Sequence, residues 1–192
     1  MKKLVTLMIA IVIVVGFSSE SKAQLNLGVT AGIALPMGDW SDGYDMGFGG
    51  MLEGDYFVKE NIAIGLNVGY YIFSGKTETI SGVDIDYPNF SIIPVFAKGD
   101  YYFATEGFMP YGGIGLGMFM ASTEDYETTI SYGTYTKKVT VEGASDTKFG
   151  FSPHVGFLTG EGFKIGAEVA YTIIENANHL NASVRLLFPL GN

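Results

Sequence analysis

Eight stretches of this chain alternate apolar with small or polar residues. The clearest is Leu25 to Leu35, where Leu25, Leu27, Val29, Ala31, Ile33 and Leu35 oppose Asn26, Gly28, Thr30, Gly32 and Ala34. A period of two sends the two sets to opposite faces of a strand. In a soluble sandwich the apolar set faces a core. In a transmembrane barrel it faces lipid, and the small or polar set lines the interior.

The remaining strands are expected at Met46–Val58, Ile62–Phe73, Phe90–Phe103, Phe108–Ala121, Lys148–Leu158, Phe163–Ile173 and from His179 to the C-terminus. Phe90–Phe103 is apolar on both faces around Ile92 and Ile93, so its charges set the phase. A Lys facing lipid near the midplane costs roughly 2–4 kcal/mol. Lys98 and Asp100 therefore point inward, and Ile93, Val95, Ala97, Tyr101 and Phe103 outward. The links after the second, fourth and sixth strands are short: Lys59–Asn61, Ala104–Gly107 and Thr159–Gly162. Those after the first, third and fifth are long and polar: 37–45, 74–89 and 122–147. The link after the seventh, Glu175–Asn178, is modest. Such alternation marks outer-membrane barrels, which have short periplasmic turns and longer extracellular loops. Phe57, Tyr102, Phe103, Phe108, Tyr111, Phe157 and Phe163 gather at the short-turn end, as an interfacial aromatic girdle would.

The N-terminus reads as a cleaved export signal. Lys2 and Lys3 precede an apolar run from Leu4 to Phe17, and Ser21-Lys22-Ala23 offers a small-residue cleavage site. The run is shorter than the ~20 residues of a spanning helix. Residues 1–23 are thus expected to be removed, leaving one domain over 24–192. No Cys follows the apolar run, so a thioether-linked lipid anchor is excluded, and zero Cys rules out a disulfide scaffold. Taking Lys2, Lys3, Lys22 and Glu20 from 11 basic and 20 acidic residues leaves 8 and 19, a formal charge of −11. That argues against a nucleic-acid partner. The 27 Gly beside 12 Tyr and 14 Phe suit strands with small inward positions and ring-bearing ends.

Phasing the strands sends Glu53, Asp55, Lys98, Asp100, Lys164, Glu168 and Arg185 inward. The lumen of an eight-stranded barrel is only wide enough for side chains to fill. Charges enclosed there must pair, so these seven are expected to form an interior salt-bridge network in place of an apolar core. A narrow pore is the alternative; it would need a polar path past Met51, Phe73, Tyr111 and Phe119. Gly113-x-Gly115-x-Gly117 lies inside a strand, where alternate glycines make room in the lumen, and is no nucleotide fingerprint. His154 and His179 lack metal-ligand spacing, so neither metal nor cofactor is expected.

Several segments resemble the outer-membrane β-barrel domain family of Bacteroidetes-type bacteria, relatives in architecture of the small OmpA/OmpX-type barrels. They are the leader ending Lys22-Ala23-Gln24, the first strand Leu27-Gly-Val-Thr-Ala-Gly-Ile33, Ile92-Ile-Pro-Val-Phe-Ala-Lys98 and Pro110-Tyr-Gly-Gly-Ile-Gly-Leu-Gly117. The resemblance covers nearly the whole mature chain. It implies an all-β, eight-stranded antiparallel transmembrane barrel, an up-and-down meander in the cell outer membrane. Lipid deacylases of the same architecture carry Ser, His and Glu on neighbouring strands, which Ser152, His154 and Glu168 resemble. However, Ser-Pro-His inverts the enzymes' order, and all three phase inward, away from lipid. The expectation is therefore a non-catalytic monomer in outer-membrane lipid, with a structural or surface-interaction role. The Tyr-bearing loop at 122–147 is its candidate contact for extracellular protein or glycan.

Overall fold

The computed structural model describes residues 25–80, 83–132 and 135–190. The leader expected at residues 1–23 lies outside the described residues. So do the side chains of Tyr126, Glu127, Tyr132, Tyr135, Lys137 and Lys138 in the 122–147 loop.

Among the described residues there are twelve strands: β1 Leu25–Pro36, β2 Tyr44–Lys59, β3 Ile62–Gly75, β4 Thr77–Ile80, β5 Val83–Asp86, β6 Phe90–Tyr102, β7 Met109–Thr123, β8 Tyr126–Tyr132, β9 Tyr135–Val141, β10 Ser145–Thr159, β11 Lys164–Ile174 and β12 His179–Leu190. Eight of them close into a barrel in the order β1-β12-β11-β10-β7-β6-β3-β2. Every neighbouring pair is antiparallel, and β1 meets β12 from Leu25 opposite Leu190 to Pro36 opposite His179. Closure leaves no unpaired strand edge, the condition for a sheet to cross lipid.

The alternation decides which face looks where. Leu27, Val29, Leu66, Val68, Leu116, Val169 and Val184 all point outward, from 41% exposed at Val29 to 53% at Val184. Together with Leu52, Ile114 and Met118 they form an exposed apolar belt. Water would not tolerate such a surface; hydrocarbon requires it.

Two expectations need correction. The segments 74–89 and 122–147 are not plain loops, because they contain the hairpins β4–β5 and β8–β9, each a separate two-stranded sheet. Their strands are rich in Thr, Tyr, Val and Ile, which favour extended backbone. Outside lipid no apolar face is needed, so a search for lipid-facing alternation passes over them. The first long link also holds a single helical turn, α1 Trp40–Gly43. The second correction concerns the girdle. Phe103, Phe108, Phe157 and Phe163 do face outward, but Tyr102 and Tyr111 are buried inside the barrel and Phe57 packs against them. These three close the lumen rather than ring the membrane.

The lumen is filled in three layers. At the loop end Ala34, Tyr71, Phe73, Ile92, Phe96 and Phe119 pack together beneath Trp40 and Phe90. At the short-turn end Ala63, Tyr102, Met109, Tyr111, Leu158 and Leu187 form a second apolar cluster. Between them lie the charges.

Candidate functional site

The central layer is built by strands that each contribute inward positions two residues apart. β2 supplies Glu53 and Asp55, β6 Lys98 and Asp100, β10 Ser152 and His154, β11 Glu168 and β12 Arg185. Arg185 is fully buried, and its guanidinium donates to Glu53 Oε1 at 2.8 Å and to Asp55 Oδ2 at 2.5 Å, with Asp100 Oδ2 at 3.5 Å. Its Nη1 lies 3.9 Å from Glu168. Lys98 donates to Glu53 at 2.6 Å and lies 3.1 Å from Asp55 and 3.5 Å from Asp100. Two cations are thus shared among four carboxylates. Arg185 also sits 4.9 Å from the centroid of the Tyr111 ring, a cation–π contact.

Glycines decide which side chains can meet. Neighbouring strands lie about 4.8 Å apart, so inward residues two strands apart touch only if the strand between is bare. Gly65 on β3 is paired with both Asp55 and Lys98, and those two meet across it. Gly113 on β7 is paired with both Asp100 and His154, whose Nε2 lies 2.7 Å from Asp100 Oδ1. Gly156 on β10 is paired with both Tyr111 and Glu168, and the Tyr111 hydroxyl donates to Glu168 at 2.8 Å. A Cβ at Gly113 would stand 2.6 Å from His154 Nε2, and one at Gly65 2.9 Å from Lys98 Cε. Any side chain there would part the charges.

Six of the seven expected residues are brought together: Glu53, Asp55, Lys98, Asp100, Glu168 and Arg185. Lys164 is not. It lies at the short-turn end of β11, opposite Leu187, with its ammonium 3.7 Å from Met109 Sδ and 5.8 Å from the Phe57 ring centroid. Strand phase gave its face, but depth along the barrel depends on register, and here it is one layer too low. His154 and Tyr111 join the network although the charge pattern did not include them. The signal for both is a glycine facing them on the neighbouring strand.

Ser152, His154 and Glu168 share the interior but form no relay. The His154 Nδ1 meets the carbonyl oxygen of Ser152 at 3.0 Å, not its hydroxyl, and Nε2 meets Asp100. The Ser152 hydroxyl bonds Thr172 Oγ1 at 3.0 Å, and Glu168 is engaged by Tyr111. A nucleophile needs its base within hydrogen-bond reach and a route for substrate. Here the hydroxyl is 4% exposed as a residue and its neighbours are otherwise occupied.

Above the network a cavity of about 20 Å³ is lined by Asn67, Tyr71, Lys98, His154, Glu168 and Asn181, among others. Phe96 and Phe119 also line it, each 7% exposed or less. Among the described residues no group of three or more His, Cys, Asp or Glu could hold a metal ion.

The outer membrane protein beta-barrel domain model matches residues 4–187. Among solved structures the chain is similar to Neisserial surface protein A (NspA), with a TM-score of 0.56 and 16% identity over 88% of this chain and 97% of that one. It is also similar to Ail, the attachment invasion locus protein of Yersinia pestis, in complex with the heparin analogue sucrose octasulfate. There the TM-score is 0.51 and the identity 16%, over 88% of this chain and 97% of that one. At such identity the likeness is one of fold. No curated protein matches the sequence.

Proposed function

Since the chain belongs to the outer membrane protein beta-barrel domain family, we propose that it is a non-catalytic, monomeric outer-membrane barrel whose working surface is its loop end. One observation carries this reading: apart from one cavity of about 20 Å³, the lumen is packed by rings at both mouths and by ion pairs between. A filled lumen offers neither a conduction path nor a substrate cleft. What remains accessible beyond the lipid belt is α1 with the hairpins β4–β5 and β8–β9. These project from the end with the long connections, which in this class of barrel faces outward from the cell.

The composition of those segments narrows the partner. Asp42, Glu78, Asp84, Asp86 and Glu127 outnumber Lys137 and Lys138. Like charges across an interface suppress association. The loop end therefore suits a neutral or cationic protein or glycan surface, not a sulfated polyanion of the kind in the Ail complex. Two measurements test the reading. In planar bilayers the purified barrel should show no stepwise conductance, and sustained steps would restore the narrow pore. On a heparin column at physiological salt it should pass unretained; retention there would overturn the proposed partner class.

A further inference from the structure

The cavity above the network has room for about one water-sized guest. Three of the residues lining it carry a buried oxygen with no hydrogen-bond partner: Asn67 Oδ1 and the Tyr71 hydroxyl on β3, and Asn181 Oδ1 on β12. All three side chains are nine-tenths or more buried. A buried oxygen left without a polar partner is destabilising, so three around one space point to something that they bind.

The charges beside the cavity do not balance. Among the described residues, the lysine and arginine partners of Glu53, Asp55, Asp100 and Glu168 are Lys98 and Arg185 alone. Even if His154 donates from both ring nitrogens and so carries a charge, one carboxylate is left over. Distances identify it. Glu53, Asp55 and Asp100 each have a cationic or imidazole nitrogen within 2.7 Å. The nearest cationic nitrogen that Glu168 has is Arg185 Nη1, at 3.9 Å. Lys98 also lines the cavity, but its ammonium is already met by three carboxylates. Glu168 lines the cavity as well.

We propose that this cavity binds one small monovalent cation of the sodium class, held by Glu168 and by the oxygens of Asn67, Tyr71 and Asn181. Every donor is a hard oxygen, which suits alkali and alkaline-earth ions over zinc or copper. Only one donor is charged and the surplus is a single charge, which favours a monovalent ion. The rings of Phe96 and Phe119, which line the cavity, belong to the buried loop-end cluster, so the ion enters as the barrel folds.

The test refolds the full-length protein from urea into detergent micelles, in sodium chloride or in choline chloride at equal ionic strength. Choline is too large for the cavity. The unfolding temperature, read from heat-dependent gel migration, should be higher in sodium and rise with its concentration. Glu168→Gln should abolish that dependence. Tyr71→Phe removes one oxygen and keeps the ring, and should raise the half-saturating sodium concentration by about tenfold. Equal unfolding temperatures in the two salts would mean a water only and overturn the site. Sodium dependence that survives Glu168→Gln would do the same. If that variant does not fold, Tyr71→Phe decides, and an unchanged half-saturation overturns the site.

Discussion

The two mouths of this barrel are closed by different means. At the short-turn end the closing residues, Phe57, Tyr102, Tyr111, Leu158 and Leu187, all hang from barrel strands. At the loop end Phe73, Ile92, Phe96 and Phe119 also come from strands, but Trp40 comes from α1 and Ala177 from the link before β12. Trp40 touches four rings, with centroids 5.6 Å from Tyr44, 4.7 Å from Phe73, 5.4 Å from Phe90 and 5.9 Å from His179. The strand-borne plug cannot open unless the hydrogen-bonded wall does, and lipid forbids that. The loop-borne part of the cap rests on segments that owe the barrel no ladder. One end is therefore fixed by the wall, and the other rests in part on segments outside it.

The layer between the mouths should respond most strongly. Arg185→Ala leaves Glu53 and Asp55 buried without their guanidinium. Breaking a buried pair in this way costs roughly 3–5 kcal/mol. Urea unfolding of the purified variant should show that loss, or no folded barrel at all. Arg185→Lys should recover only part of it, because a single ammonium cannot reproduce the planar fork. Wild-type stability in Arg185→Ala would mean that these carboxylates are solvated and that the two mouths do not seal a dry centre.

The short-turn plug comes next. Tyr111→Ala removes a buried ring together with the hydroxyl that serves Glu168, and should cost about 3 kcal/mol. Its unfolding should stay a single transition in every probe, since the plug belongs to the wall. A separate early step in this variant would place the plug outside the cooperative barrel and erase the contrast with the loop end.

How much of this could be read from the residues follows the same division. The barrel strands were legible because lipid outside and a crowded lumen inside impose a strict period of two. Lys98 and Asp100 resolved the one strand that was apolar on both faces. Phase fixes a face but not a depth, however, and so Lys164 was grouped with charges a layer above it. Phase also does not reveal contacts across a bare strand. Asp100 meets His154 only because Gly113 lies between them, a fact of register that no single strand contains. Tyr102 and Tyr111, by contrast, already phase inward with Asp100 and Gly113, and only their nearness to the short turns grouped them with the girdle. The hairpins β4–β5 and β8–β9 escaped because nothing outside the membrane demands an apolar face.

Those hairpins give a smaller effect. Replacing residues 125–143 with a four-residue turn should leave a closed barrel whose stability changes by about 1 kcal/mol or less, since loop closure depends weakly on length. Heat-dependent migration on a denaturing gel should persist. Loss of the folded band would show that β8–β9 helps to form the wall, although its pairing is confined to its own sheet.

The smallest effect concerns Trp40, the only tryptophan in the chain, whose emission therefore reports the loop-end cap alone. In a urea titration its emission should shift to longer wavelength at lower urea than the far-ultraviolet signal of the strands is lost. The reason is local stability: α1 is one turn, and its link to the wall is a few contacts, whereas each barrel strand is held along both edges. Trp40→Phe should accordingly leave the strand midpoint almost unmoved. The same titration on a barrel lacking residues 125–143 should keep the early Trp40 shift, because the cap rings come from β2, β3, β6 and β12 and not from that hairpin. If emission and strand signal instead fall together, α1 unfolds with the wall. The loop end would then be as fixed as the short-turn end, and its apparent freedom would not extend to the cap.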